Sequence, residues 1–381
     1  MNAHPQASNR ARVTARRSVL TGALLLGSTG TAHAQPTPAD STRTVSFGGF
    51  VDAVYAYDMN RPAGRDRAFT TQPARHNEFN INLAFIEAKL LSGRVRGRLA
   101  LQAGTSVQAN YSGEPRQGVV SGPDLARLLQ EAYGGYQVTN ALWIDAGIFY
   151  SNSGMEGWTS RDSPAYTRSL VADFSPYYST GVRAQWQVTP RLAARVDLIN
   201  GWQNISESND GKSLGLRLDL AATPTTTVSW YGYAGNEPGS RRRLFNGVGL
   251  TSRVADRLDL LAQFDVGQER GRDRITANTL SSTWYGATVI FRLWIRPTWA
   301  IAARVERFAD RDQIIVATGS AVPFRANSAS IGFDVRPEPR VLWRTEARGY
   351  AADGVVFPTN RNASGLSKRN GVFVTSLALT F

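Results

Sequence analysis

Apolar and polar residues alternate along this chain with a period of two, and the pattern returns segment after segment. In Gly181 to Val188, Val182, Ala184, Trp186 and Val188 alternate with Arg183, Gln185 and Gln187. Ser213 to Leu220 sets Leu214, Leu216, Leu218 and Leu220 against Arg217 and Asp219. Leu258 to Val266 sets Leu258, Leu260, Ala262, Phe264 and Val266 against Asp259, Gln263 and Asp265. Trp299 to Phe308 sets Trp299, Ile301, Ala303 and Val305 against Arg304 and Glu306. Successive strand side chains point to opposite faces, so each segment predicts a strand with one apolar and one polar face.

The connections fall into two kinds. Short ones lie at Ser92-Gly93, Thr139-Asn140, Thr189 to Arg191, Ala222 to Thr225, Ala255 to Arg257, Arg296 to Thr298 and Pro337 to Arg340. Many carry Pro, Gly or Asn, as tight turns do. Longer polar stretches alternate with them, near 59–78, 105–124, 151–178, 201–212, 236–244, 269–282, 309–326 and 351–369. This short-long rhythm is that of a transmembrane barrel with turns on one side of the membrane and loops on the other. The predicted fold class is all-β: an antiparallel up-and-down β-barrel over 45–381, of about sixteen strands, with fourteen or eighteen left open. An even count places both termini in the periplasm.

The charges decide which face meets lipid. An arginine on the lipid face near midplane costs roughly 2–4 kcal/mol. Turning Arg217 outward would incur that cost and also direct four leucines at water. The polar faces therefore line the interior. Trp186, Trp230, Trp294, Trp299 and Trp343 lie toward the turn ends and suit an interfacial girdle. Two segments fit poorly. In Phe79 to Leu91, Phe79, Ile81, Leu83 and Phe85 share a phase that Glu87 and Lys89 then occupy, which a bulge near Ile86 would repair. In Leu125 to Val138 neither phase wins, which suits a short helical entry.

The final strand, Asn370 to Phe381, puts Phe373, Thr375, Leu377, Leu379 and Phe381 on one face and Ser376, Ala378 and Thr380 on the other. A soluble edge this apolar would invite aggregation, whereas a closing barrel strand has no free edge. Its expected partner is Val45 to Asp58. The ending resembles the C-terminal assembly signal of bacterial outer-membrane proteins, which implies the barrel assembly machinery as a partner engaging Phe381.

The remaining bulk properties agree. Residues 1–34 read as an export signal: Arg10, Arg12, Arg16 and Arg17, an apolar stretch from Ser18 to Thr29, and an Ala32-His33-Ala34 cleavage site. Arg16-Arg17 resembles a twin-arginine signal, but that route carries folded cargo, so the ordinary secretory route is expected. Residues 35–44 form a Pro- and Thr-rich periplasmic leader. The net charge of +13 falls to +9 without the signal's four arginines. Mean hydropathy is −0.27, which by itself suggests a soluble protein; barrel strands give such values because only alternate residues face lipid. The absence of cysteine excludes thiol chemistry and a disulfide scaffold.

Several stretches resemble the β-barrel porins of the OmpL-like type: GGFVDAVYAYDMNRP (Gly48 to Pro62), NEFNINLAF (Asn77 to Phe85), IDAGIFYSNSGMEG (Ile144 to Gly157), YTRSL (Tyr166 to Leu170), SPYYSTGVR (Ser175 to Arg183) and NGWQNISESNDGKSLGLRL (Asn200 to Leu218). The likeness is strongest in the first half. It implies a bacterial outer-membrane barrel acting as a diffusion pore, with no catalytic residues to carry over.

Candidate function rests on the inward charges. Asp52, Asp145, Arg183, Arg195, Asp197, Arg217, Asp219, Arg253, Asp265, Arg292, Arg304, Glu306, Arg344 and Glu346 are expected to line the pore, with Asp259 and Arg348 in the same phase. They would form either a salt-bridged wall that stiffens the barrel or a charged constriction that selects ions. The longest loop, 151–178, carries Glu156, Arg161, Asp162 and Arg168 and suits a constriction if it folds inward. Arg241 to Arg243 and Arg270, Arg272 and Arg274 mark two loops as basic, apt for lipopolysaccharide phosphates. The expected function is an outer-membrane porin for small hydrophilic solutes, leaning toward anions, with outer-membrane lipid and lipopolysaccharide around it. Sixteen-stranded porins often form homotrimers, but no interface is legible. The alternatives are a structural or adhesive barrel with a plugged lumen, and a hydrolase built on His76. No cofactor, metal site or nucleic-acid partner is expected.

Overall fold

The computed structural model describes residues 43–239, 241–272, 279–362 and 364–381. The expected signal and the leader through residue 42 lie outside them, as does Arg274. Fifteen strands precede a small hairpin. They are β1 (Thr44–Asp58), β2 (Phe79–Ser92), β3 (Val95–Ala103), β4 (Leu129–Thr139), β5 (Leu142–Tyr150), β6 (Tyr178–Thr189) and β7 (Leu192–Ile199). Then come β8 (Ser213–Thr223), β9 (Thr226–Glu237), β10 (Arg241–Ala255), β11 (Leu258–Arg272), β12 (Thr279–Arg296), β13 (Trp299–Asp310), β14 (Phe324–Glu338) and β15 (Val341–Ala352). The hairpin is β16 (Phe357–Pro358) and β17 (Leu366–Ser367), and β18 (Arg369–Thr380) ends the chain.

Strands β1 to β15 and β18 form one closed antiparallel barrel of sixteen strands. Each pairs with its sequence neighbour, and β18 closes the ring between β15 and β1, with Phe50 opposite Thr380 and Asp58 opposite Val372. Closure leaves no barrel strand with unpaired backbone at an edge, the condition for crossing a bilayer with strands. The chain end completes it: the Gly49 N–H donates to the Phe381 carbonyl at 2.9 Å, and the Phe381 N–H returns a bond to the Gly49 carbonyl at 3.1 Å. The Phe381 ring lies over Gly49, where a Cβ would collide with it. Glycine is there to let the ring settle on the wall.

The phase assignments hold across most of the ring. Val182, Trp186, Leu214, Leu218, Phe264, Val305, Phe373, Leu377 and Leu379 are exposed on the outer surface, and the charges between them are turned inward. Every short turn falls between the strands expected to flank it. A helical entry also precedes β4, as α2 (Pro123–Ala126), following α1 (Thr105–Tyr111) in the same loop.

Four features depart from expectation. The β2 bulge sits at Asn82, four residues before Ile86: Leu83 pairs with Asp52 and Ile81 with Ala53, leaving Asn82 unpaired in the ladder. Leu83 and Phe85 consequently face inward, and Phe85 stacks on Phe50 at 5.6 Å. The cause is local. The Asn82 amide donates to Asp52 at 2.9 Å and its carbonyl accepts from the Ser106 hydroxyl at 2.6 Å. Gly104, at φ 139°, permits the backbone to approach that carbonyl. Second, Trp294 points inward, donating to Asp259 at 2.7 Å and lying against Arg292 and Arg336, so it does not join the outer girdle. Third, Arg241 to Arg243 belong to β10 and Arg270 and Arg272 to β11, because those strands run on into the stretches expected to be loops. Fourth, Arg243 is buried and paired with Glu237 and Glu269, which removes it from a basic loop.

Candidate functional site

The loop between β5 and β6 folds into the lumen. Its sequence is rich in Ser, Gly and Pro, which favours compact turns over strand or helix. It holds only a single 3₁₀ turn at Ser160–Asp162 and one helical turn, α3 (Leu170–Asp173), capped by the Ser169 hydroxyl accepting from the Ala172 N–H.

The barrel wall satisfies this loop's backbone. Arg344, 1% exposed, donates to the carbonyls of Ser160 (2.6 Å), Ser163 (3.0 Å) and Pro164 (2.8 Å). Arg304 donates to the Thr167 carbonyl and hydroxyl, both at 2.6 Å, and to Glu346 at 2.7 Å. Glu346 accepts the Thr167 N–H at 2.7 Å, and Glu306 accepts the Leu170 N–H at 2.6 Å. Arg348 donates to the Arg168 carbonyl at 2.7 Å and pairs with Glu306. Asp52 accepts from Ser160 and Tyr166. From the other side, Arg217 donates to the carbonyls of Asn152 and Gly154, both at 2.9 Å. Leaving buried backbone groups unpaired costs about 1–3 kcal/mol each, so these contacts favour one loop position strongly.

The predicted site residues therefore divide. Asp52, Arg304, Glu306, Arg344 and Glu346 face inward as expected, yet they meet the loop instead of open space. Asp265 is buried and accepts from Tyr231 and Gln263. Arg253 pairs with Asp259, and Arg292 pairs with Asp334. Asp145 and Asp197 are fully buried behind arginines. Arg183, Arg195, Arg217 and Asp219 line a cavity of about 740 Å³ beside the wall from β3 to β8. It reaches from the turns at Asn140 and Thr189 to the underside of the loop, where Glu156 and Arg168 also line it.

The other two loop candidates lie elsewhere. Arg161 reaches Thr380 and the Pro339 carbonyl, and burial pushes the neighbouring Asp162 carboxyl up to about 6. Arg96, Arg98, Glu131, Trp143, Trp158 and Tyr177 line the cavity although periodicity did not single them out. Arg96 and Arg98 carried a usable signal: they stand two apart directly after a turn, on the inward phase.

Arginines lie against aromatic rings throughout this side. The Arg96 guanidinium is 4.4 Å from the Trp143 ring centre, Arg183 is 4.3 Å from Phe149, and Arg168 is 3.6 Å from Tyr177. Such stacking holds a cation in place while leaving its edge donors available.

His76 is buried in the loop between β1 and β2, where its Nδ1 accepts the Asp58 N–H at 2.9 Å and its ring lies against Tyr57. That bond and the ring contact fix the His76 imidazole in place. Burial lowers its pKa below 6.5. The unfolded chain thus binds the proton more readily, and the loop loses stability as pH falls below 6.5 toward the depressed value. An NMR titration of the His76 ring should show a midpoint under 6.5; a midpoint above it would contradict the buried neutral ring.

A closed sixteen-stranded barrel narrowed by an inward loop is the architecture of a porin-like barrel of the bacterial outer membrane. A family model described as "Putative beta-barrel porin-2, OmpL-like" matches residues 44–381, and the chain belongs to that family. Solved structures share the fold. An anion-selective porin from Comamonas acidovorans is 9% identical with a TM-score of 0.58, covering 89% of this chain and 100% of its own. The outer-membrane channel DcaP of Acinetobacter baumannii is 12% identical with a TM-score of 0.58, covering 89% and 97%. OmpT of Vibrio cholerae, in trimer form, is 9% identical with a TM-score of 0.57, covering 90% and 100%. No curated protein matches the chain.

Proposed function

We propose that this porin-like barrel passes small hydrophilic solutes by passive diffusion and prefers anions, along a path on the β3–β8 side beneath the inward loop. The observation that carries the preference is the layering of charge on that wall. The Asp145 and Asp197 side chains are 0% exposed, whereas Arg96 and Arg195, paired with them, remain 23% and 16% exposed. A solute on this path meets guanidinium groups before it meets carboxylates. Asp219, more exposed than its partner Arg217, and Glu156, which lines the cavity beside the less exposed Arg168, are exceptions. A low-dielectric wall amplifies the field of such a surface.

The chain has no cysteine, so a single one reports cleanly on the path. Gln185→Cys on this wall, reacted with a bulky thiol reagent in a planar bilayer, should lower single-channel current. Unchanged current with the thiol demonstrably modified would place the path elsewhere.

A structural or adhesive barrel with a plugged lumen is the second reading. It is favoured by apolar packing at the loop end, where Phe245, Trp284, Phe308 and Phe324 belong to one cluster with Leu170, Val171 and Phe174 of the loop. That reading expects no current at any voltage.

The proposal includes the surroundings. Outer-membrane lipid and lipopolysaccharide would cover the apolar wall, and the assembly machinery would engage the strand ending at Phe381. A homotrimer would cover the low side of the barrel, where β3, β5 and β7 have 9, 9 and 8 residues against 18 in β12. Cross-linking in membranes should give a three-copy species; monomers alone would count against it.

A further inference from the structure

Among the described residues, Arg168 is the one arginine of the cavity wall that no carboxylate contacts, although the Glu156 and Asp173 carboxylates are near enough to act on its charge. It is 4% exposed and makes no ion pair within 4.0 Å among the described residues, whereas Arg96, Arg98, Arg183, Arg195 and Arg217 each have a carboxylate partner. Its Nη2 makes one long bond, 3.4 Å, to the Glu156 carbonyl, and its Nε and Nη1 have no partner. A buried guanidinium with free donors is costly unless an anion completes it. Meanwhile its backbone is held by Arg348 and its plane by the Tyr177 ring, so the group cannot swing away to solvent cheaply.

Tyr177 lies against Arg168 and Trp158 against Tyr177, while Tyr150, Tyr133 and Met155 line the same cavity, as do the carboxylates of Glu131, Glu156 and Asp219. We infer that Arg168 anchors a saturable binding site for small carboxylates with a flat apolar body, the carboxylate taking the free guanidinium donors and the body lying among the aromatic rings. A cavity of about 740 Å³ accommodates such a molecule with room for water. The inference rests on the reading of this cavity as the solute path, and it turns a passive path into one with a recognised cargo class.

Benzoate is the probe, with acetate and chloride as comparisons, titrated calorimetrically into the refolded barrel in detergent. Benzoate should bind saturably and more tightly than either comparison. Arg168→Gln should weaken it by about tenfold or more, the scale of a lost charge-assisted hydrogen bond. Arg168→Lys keeps the charge but loses the stacked planar fork, and should bind benzoate measurably more weakly than the native protein. That second variant decides the matter if the first fails to refold. Equal heats for benzoate and chloride, or native affinity in both variants, would overturn the site. Because the titration needs no current, conducting channels that ignore benzoate sink this inference alone. A barrel that binds benzoate through Arg168 but never conducts keeps the site and sinks the diffusion path.

Discussion

Glu346→Ala should release the inward loop and leave the barrel standing. Glu346 accepts from Arg304 at 2.7 Å and from the Thr167 N–H and hydroxyl at 2.7 and 2.9 Å. Removing it takes the closer of two carboxylate partners from the buried Arg304, which keeps Glu306, and leaves two loop donors without their acceptor. Breaking a buried ion pair from one side costs about 3–5 kcal/mol, and here the cost falls on the loop's closed position. The strand hydrogen bonds of β15 to β14 and β18 are main-chain bonds and survive the change. The expected result is a native-like barrel whose loop 151–177 is cut by protease and whose single-channel conductance rises. Glu346→Gln, which keeps an acceptor, should sit between the variant and the native protein. A loop as protected in Glu346→Ala as in the native chain would show that the clamp is unimportant.

The second large effect lies at the chain end. Deleting Phe381 removes both main-chain bonds to Gly49, about 1–3 kcal/mol together, and the ring that lies over that glycine. The site is where the ring of strands closes, so the loss falls on closure and on any recognition of the final strand. Outer-membrane levels of the deletion variant should drop well below native, with precursor accumulating before the membrane. Unchanged levels would contradict an assembly role for the terminal residue.

Much of this architecture could be read from alternation alone. The period of two placed Arg183, Arg217 and Arg304 inward, and the short turns, rich in Pro, Gly and Asn, marked where each strand ends. The closing pair of β1 and β18 followed from the count. What alternation could not convey is what an inward residue meets. Arg217 and Arg344 sit in equivalent strand patterns, yet Arg217 meets two loop carbonyls and still lines a cavity, whereas Arg344 is capped by three loop carbonyls and does not line it. That difference depends on where a distant loop comes to rest, which no local period encodes.

The bulge shows a similar limit. Glu87 revealed a phase error somewhere in β2, but its place was set by Asn82 bonding to Asp52 and Ser106, thirty residues before it and twenty-four after. Arg241 to Arg243 misled in the opposite direction. A run of three charges suggests a loop, whereas β10 begins at Arg241 and sends Arg243 inward to two glutamates and two tryptophans.

The layered wall makes the most direct test electrical. The native barrel, reconstituted in a planar bilayer under a KCl gradient, should open in discrete steps and reverse at a potential displaced toward the chloride equilibrium value. A reversal potential displaced toward potassium, or a bilayer that stays silent with folded protein inserted, would contradict the account.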